Sequence, residues 1–402
     1  MHSTLWIKGT KSKSLEGKTV VLAVTGSIAA VRVVELAREL IRNGANVYAV
    51  MSEAATRILH PDALHYATGH EVITDITGGV EHVGMCGIQG MADLLLIAPA
   101  TANTISKIAM GIDDTPVTTF ATTAIGSGVA TIVVPAMHQS MYDHPAVHSN
   151  LEKLESYGIS LVGPRVEEGI AKISPNDDIV LAAERQLMGK KLAGKKIVLT
   201  SGSTAEAIDP VRILTNRASG KTGQELAREV FRRGGDVTII HRNELDVDGI
   251  NEVYAESAAS MLDRCMEEID RGCDVFISSA AISDYTLDSS RSKIKSGQNL
   301  ILEMHPTEKI LPQVRGNHPG IVIVGFKAET SVGEKELVGS ATRMLEEYGL
   351  DMVVANDVGG GGMGTSDNSV YILQDGLSAS HYSGSKRHLA SIIMDRLEQI
   401  LL

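Results

Sequence analysis

TSGSTAEAIDPVRILTNRASGKTG, residues 200–223, is the stretch on which the reading of this chain turns. The apolar run from Lys196 to Thr200 predicts a buried strand entering it, and an amphipathic helix is predicted to leave it from about Gln224. A strand-to-helix turn in an α/β unit usually takes about 2–6 residues. This one is far longer and carries Asp209, Arg212, Asn216, Arg217, Ser219 and Lys221, residues suited to binding anions. Long loops at the carboxyl ends of parallel strands are where open α/β sheets bind ligands.

The same strand and helix occur earlier in the chain. GKKIVLTSGS (194–203) echoes GKTVVLAVTGS (17–27), and ELAREVFRRGGDVTII (225–240) echoes ELARELIRNGANVYAV (35–50). Eight positions separate Ser27 from Glu35 and 22 separate Ser203 from Glu225, so the second unit carries about 14 extra residues in its first turn. Little else matches, so the echo is assigned to shared βαβ constraints rather than to duplication.

Outward from these units, the chain alternates strands and helices, which predicts parallel sheets. In the first half, strands are expected at Gly17 to Val24, Asn46 to Met51, Leu94 to Pro99, Ala130 to Pro135 and Ser160 to Val162. A helix from about Ile28 to Asn43 would bury Val33, Leu36, Ala37, Leu40 and Ile41. In the second half, strands are expected at Val275 to Ser278, Leu300 to Glu303, Ile321 to Phe326, Met352 to Ala355 and Ser369 to Leu373. Helices are expected near Lys335 to Tyr348 and from about Lys386. A polar loop spans Ser283 to Gly297, and the Gly-rich segment Gly359 to Gly364 reads as a flexible loop rather than a phosphate cradle. The fold expected is α/β: two Rossmann-like, three-layer domains with mainly parallel sheets, 1–190 and 191–402, the first flavodoxin-like.

Composition narrows the classes. At 402 residues the chain exceeds what one core usually supports. Net charge is −12, which argues against non-specific nucleic-acid binding and leaves anionic ligands to local Lys, Arg and backbone N–H groups. Cys86, Cys265 and Cys273 form no CxxC, which fits a reducing cytoplasm. The first 18 residues lack a signal-peptide apolar stretch, and no run approaches the ~20 apolar residues of a membrane span.

In the first half, Gly26-Ser27 after a buried strand offers N–H groups and a hydroxyl to a phosphate; a plain tight turn weighs equally. Without GxGxxG, a dinucleotide reading is weak. The residues from Ala98 to Thr104 bring small polar groups to a strand end, or simply cap a helix. His82 alone is more often a structural partner than a base. His138, His144 and His148 carry metal-like spacings without a supporting Cys or carboxylate.

VTGSIAA (24–30), EHVGM (81–85) with Ala92-Asp93, APATANTISKIAMGIDD (98–114) and PAMHQSMY (135–142) occur in order. Together they resemble the homo-oligomeric FMN-containing cysteine decarboxylases, the family that includes phosphopantothenoylcysteine decarboxylase. The resemblance implies that Gly26, Ser27, Ile28, Ser52, Ala100, Thr101, Ala102 and Asn103 hold FMN and that His82 is the catalytic base. It implies oxidation of a cysteinyl thiol to a thioaldehyde, loss of carbon dioxide, and return of the electrons from the flavin. Two departures stand out. His138 occupies the place of an Asn that binds the substrate carboxylate, and VEEGIAKISPNDD (166–178) lacks the flap Cys of bacterial members, as archaeal-type members do. Cys86, one helical turn after His82, is a substitute thiol or, more simply, a buried structural Cys.

In the second half, SGKT (219–222) is not a P-loop, because Thr215 stands where the first Gly is needed. DPVRILTNRASGKTG (209–223), AAISDY (280–285), KIK (293–295), HPTEKIL (305–311), GFKAET (325–330) and ANDV (355–358) resemble the phosphopantothenate–cysteine ligase domain. The resemblance implies that the carboxylate of 4′-phosphopantothenate attacks CTP; an anion attacking a polyanion needs its charge neutralised, so Lys, Arg and Mg²⁺ are expected, and L-cysteine then displaces CMP. It implies Arg212, Asn216 and Lys293 at the chemistry, and Gly202, Ala280, Ala281, Asp284, Lys293, Pro306, Thr307, Glu308, Lys309 and Phe326 around CTP. Ser296 replaces the last Lys of the family's KIKK, and Arg343 stands alone where the bacterial pattern has two lysines in the helix before the strand that runs into ANDV. The fused order implies the two steps of coenzyme A biosynthesis, with ligase dimers and decarboxylase trimers, up to a dodecamer. Two rivals are a ligase with a non-catalytic flavin half and an NAD-dependent reductase.

Overall fold

Thr19–Val24 (β1) is buried at every position. A strand with apolar side chains on both faces belongs inside a sheet covered by helices on both sides. Its partners are Asn46–Met51 (β2), Leu94–Ala100 (β3), Ala130–Pro135 (β4) and the short Ser160–Leu161 (β5), all parallel, in the order β2-β1-β3-β4-β5. This is the flavodoxin-like order, and it reverses between β1 and β3. One face is covered by helices Val33–Arg42, Pro61–Thr68 and Asn176–Leu187, the other by Glu81–Cys86, Ala102–Met110, Pro116–Ser127 and Pro145–Ser156. Val33, Leu36, Ala37, Leu40 and Ile41 are buried as their spacing requires. Each large aliphatic side chain so buried contributes roughly 1.5–3 kcal/mol.

The computed structural model describes residues 2–167, 170–297, 299–359 and 367–402 and divides into the compact units Met1–Gly189 and Lys190–Leu402. In the second unit, Lys196–Thr200 (β6), Asp236–His241 (β7), Asn251–Tyr254 (β8), Val275–Ser278 (β9), Val322–Glu329 (β10), Met352–Asp357 (β11), Asp367–Gln374 (β12) and Ser380–Ser385 (β13) form one sheet. Its order is β8-β7-β6-β9-β10-β11-β12-β13. The first six strands are parallel in the Rossmann-like order, and the last two are antiparallel. Helices Lys221–Arg232 and Lys386–Ile400 pack together, while Ala258–Asp270, Ile310–Asn317 and Glu334–Tyr348 share the apolar cluster of the opposite face.

Four details correct the sequence reading. The expected helix from Ile28 is a 3₁₀ turn, Ile28–Arg32, followed by an α-helix from Val33. Ile28 is 77% exposed and Val31 is also exposed, so the apolar face that drives the helix begins only at Val33. The expected strand from Leu300 to Glu303 is absent: Leu300 and Ile301 are exposed and have no ladder partner among the described residues. Instead His305–Pro306 pairs antiparallel with Tyr285–Thr286. The stretch 200–223 is not an open loop, because Ala205–Ala207 and Ile213–Thr215 close it into a hairpin. Its outgoing helix starts at Lys221, three residues before the expected Gln224. The Gly-rich loop expectation lies outside the described residues from Gly360 onward.

Candidate active sites

In the first unit, three chain segments converge at the carboxyl ends of β2, β1 and β3. The Ser52 N–H donates to Val24 O (3.1 Å). The Thr25 hydroxyl donates to Pro99 O (2.7 Å) and accepts from the Thr101 N–H (3.1 Å). Ser27, Ser52 and Thr101 each cap the helical turn that follows, accepting from the N–H groups of Ala29, Ala55 and Thr104. Gly26 is required by packing: a Cβ there would lie 2.6 Å from Ala54 Cβ. The result is a set of adjacent helical N-termini at the point where strand order reverses, an arrangement that favours a phosphate. Ile28 is exposed at its rim and Asn103 is exposed on the first turn after Thr101, whereas Ala100 is buried and its carbonyl accepts from Ala136 N–H (3.0 Å).

His82 lies on helix Glu81–Cys86 with its ring edge-on to Phe120, centroids 6.5 Å apart. Its Nδ1 is buried and has no hydrogen-bond partner among the described residues. Such an orphaned ring nitrogen is costly in a finished core and is the expected state of a group that meets a ligand. Cys86 is fully buried, and burial pushes its thiol up to about 12, so the structural reading of this Cys prevails.

His138 is exposed and sits in the two-residue strand Met137–His138 after β4. This strand pairs antiparallel with Ile170–Lys172, which pairs with Arg165–Glu167. The flap segment is therefore a hairpin laid directly beside His138, a relation the sequence did not reveal because the strands are only two and three residues long. The hairpin's exit, Ile173, packs in the same core as Ala30, and Arg32 Nη1 donates to Ile173 O (3.5 Å). The loop histidines have separate tasks: His144 Nδ1 accepts from Ala146 N–H (3.1 Å), and His148 packs edge-on to Tyr142. Among the described residues no group of three or more His, Cys, Asp or Glu side chains is placed to hold a metal.

In the second unit, strand order reverses between β6 and β9, and the loops after these two strands are stitched together. Ala281 N–H donates to Gly202 O (2.8 Å), Ala280 N–H to Thr200 Oγ1 (3.2 Å), and Asn216 Nδ2 to Ala281 O (2.9 Å). Asp209 was seen in the sequence only as one polar residue of the loop, yet it is the clamp. Its buried carboxylate accepts from the N–H groups of Val211, Arg212 and Ile294 and from Arg212 Nη1 (2.5 Å). Arg212 Nη1 also donates to Ile294 O (3.1 Å), which fixes Arg212 beside the segment holding exposed Lys293 and Lys295. Burial alone would raise the Asp209 pKa, but the N–H groups of Val211, Ile294 and Arg212 and the guanidinium reverse this and hold it near about 2.

Asp284 pairs with Lys309, Thr307 N–H donates to Asp284 O (3.0 Å), and Thr307 Oγ1 donates to Ser283 O (2.6 Å). Tyr285 pairs with Pro306. The two sequence motifs around Asp284 and Pro306–Lys309 thus form one small hairpin, with Glu308 exposed on it. Phe326 is half-buried on β10 one residue past Gly325, the register partner of Ser278, so it stands at the same carboxyl edge. Asp357 at the end of β11 accepts from the N–H groups of Ser331, Val332 and Gly359; these bonds, the Gly359 one foremost, lower its pKa.

Two doubly wound units, each with its polar groups gathered at the strand-order reversal, define a two-site α/β protein with a flavodoxin-like half and a Rossmann-like half. The family model described as "Flavoprotein" matches residues 8–188, and the one described as "DNA/pantothenate metabolism flavoprotein C-terminal domain" matches residues 192–401. The chain is 46% identical over 406 residues to the coenzyme A biosynthesis bifunctional protein CoaBC of Thermococcus kodakarensis, covering 100% of both chains. It is 38% identical over 404 residues to the protein of the same description from Methanocaldococcus jannaschii, covering 100% of this chain and 98% of that one. A solved structure described as an FMN-dependent cysteine decarboxylase, SpaF, is 28% identical and covers 42% of this chain and 99% of its own, with a TM-score of 0.37. The chain belongs to the family of bifunctional coenzyme A biosynthesis proteins. Neither the ligase-only reading nor the NAD-dependent reductase reading finds support in these matches.

Proposed function

We propose that this chain makes 4′-phosphopantetheine in two steps, with the ligase chemistry in residues 191–402 and the decarboxylase chemistry in residues 1–190. The observation that carries the reading is full-length membership of the bifunctional family, joined to two polar clusters at the two strand-order reversals.

In the ligase half, the carboxylate of 4′-phosphopantothenate attacks the α-phosphorus of CTP, releasing pyrophosphate and leaving an acyl-cytidylate. The amine of L-cysteine then attacks the acyl carbon and CMP departs. Arg212, held by Asp209, and the exposed Lys293 offset the negative charge that gathers when a carboxylate approaches a triphosphate. Asn216, tethered to the Ala281 carbonyl, orients the acyl-cytidylate. Gly202, Ala280 and Ala281 line the floor, while Asp284, Pro306, Thr307, Glu308, Lys309 and Phe326 surround the nucleotide. Mg²⁺, were it to enter with the nucleotide, would supply the remaining positive charge beside Arg212 and Lys293.

In the decarboxylase half, the residues fit FMN: the capped turns at Gly26, Ser27 and Ile28, at Ser52 and at Thr101 to Asn103 suit its phosphate, and His82 keeps a free ring nitrogen. FMN, when bound, supplies oxidation of the substrate thiol and later return of the electrons, which makes loss of carbon dioxide easy. His82 takes and returns the proton. His138 meets the substrate carboxylate, and the paired strands Arg165–Glu167 and Ile170–Lys172 beside it cover the substrate and exclude water. The protein works in the cytoplasm as an oligomer built from decarboxylase trimers and ligase dimers. Turnover with 4′-phosphopantothenate, L-cysteine and CTP, with CMP and carbon dioxide followed separately, tests both halves.

A further inference from the structure

Lys386 is the first residue of the closing helix, Lys386–Ile400, and only 6% of it is exposed. Among the described residues its ammonium has no hydrogen-bond or ion-pair partner. The carboxylate nearest in register, Asp367 opposite Ser385, is exposed on the edge of the sheet. The charge that acts on Lys386 is Lys221, of the same sign; burial first, and then Lys221, lower the Lys386 pKa.

Lys221 opens the helix that follows the 200–223 stretch. The two helices run side by side in the same direction. At their far ends Arg233 donates to Ser391, Asp395 and Glu398, and Lys221 and Lys386 are the first residues of the two packed helices. Both N-termini therefore present their positive dipole ends together; Ser385 caps the second by accepting from His388 N–H (3.2 Å), while Gly220 offers the first no side-chain cap. Gly220 and Gly223 let the first of these helices sit tightly on the turn after β6. A Cβ on Gly223 would lie 2.5 Å from Ser201 Oγ, and one on Gly220 3.1 Å from Gly202 Cα.

Enclosing the Lys386 side chain without placing a counter-charge beside its ammonium is unfavourable, and the positive ends of the two helices add to that charge. A phosphoryl group offers the missing charge and several acceptor oxygens at once. We propose that Lys386 is a phosphoryl-anchoring residue, binding a phosphate of a substrate between the N-termini of Lys221–Arg232 and Lys386–Ile400. The inference rests on the ligase reading for the identity of that substrate, either the triphosphate of CTP or the phosphate of 4′-phosphopantothenate.

Lys386→Met and Lys386→Arg in the full chain test it. Inorganic pyrophosphate, at ionic strength matched with chloride, raises the unfolding temperature of the second unit in the unmodified protein; in K386M that rise is lost, and in K386R it is largely kept. Without anion, K386M unfolds no earlier than the unmodified protein, because the change removes an unpaired charge. In initial-rate assays of CMP release, K386M raises the KM for CTP or for 4′-phosphopantothenate by about tenfold or more, and the substrate affected names the phosphate bound. The proposal is overturned if K386M keeps the pyrophosphate response with both KM values unmoved, or if it unfolds earlier without anion. Absence of CMP release from the unmodified protein would instead refute the ligase reading, while the pyrophosphate response would still decide the anion site.

Discussion

At the scale of single residues, the two halves use different devices. His82 is distinguished by what it lacks, a partner for a buried Nδ1. Replacing it with Asn should lower the rate of carbon dioxide release at least ~100-fold, in the range of general acid–base catalysis, while CMP release and flavin colour persist. Asp209 is distinguished by how much it holds. Its folded pKa, near about 2, lies below the ordinary Asp value of about 3.9, so its stabilising contribution is complete above pH ~4 and is lost as pH falls through about 2. Urea midpoints for Asp209→Asn should therefore fall well below those of the unmodified protein at pH 7, and the two should converge near pH 2. A gap independent of pH would refute the clamp. The sequence named His82, Asn216 and Arg212 through motifs. It passed over the clamping role of Asp209, because a carboxylate that caps backbone N–H groups in two separate loops leaves no local pattern.

At the scale of elements, the strongly periodic segments were legible and the short ones were not. The apolar face Val33 to Ile41 of the first helix and the buried strands β1, β3 and β9 stand where periodicity and apolar runs put them, although that helix begins at Val33 rather than Ile28. The strand pairs Ala205–Ala207 with Ile213–Thr215, Tyr285–Thr286 with His305–Pro306, and Arg165–Glu167 with Ile170–Lys172 are two or three residues long, stabilised by tertiary contacts that no local window contains. The turn after β1 depends on close approach: Gly26→Ala places a Cβ 2.6 Å from Ala54 Cβ, so flavin content after purification should drop sharply while the ligase half keeps its activity. In the second unit, the pair of parallel helices is riveted by Arg233, which is 5% exposed and bonded to Glu229, Asp395 and Glu398. Arg233→Met leaves Glu229, itself 3% exposed, without that partner, and should cost about 3–5 kcal/mol in denaturant unfolding of this unit. A loss below ~1 kcal/mol would show that the remaining Arg232 bond to Glu229 suffices.

At the scale of the whole molecule, the restart of the βαβ pattern at Gly194 makes two α/β units legible in the sequence, and strand order points to a candidate site in each. What composition alone could not supply was the chemistry. A net charge of −12 says nothing of where phosphates bind; the proposal places them at the local N-termini and the Arg and Lys side chains of the two strand-order reversals. The central claim is that one chain couples ligation to decarboxylation. The most direct measurement supplies purified, flavin-loaded protein with 4′-phosphopantothenate, L-cysteine and CTP and follows CMP and carbon dioxide separately. The account predicts that both appear, that CMP release requires all three substrates, and that carbon dioxide follows with a lag and reaches the same final amount. CMP without carbon dioxide, or carbon dioxide without dependence on CTP, would contradict it.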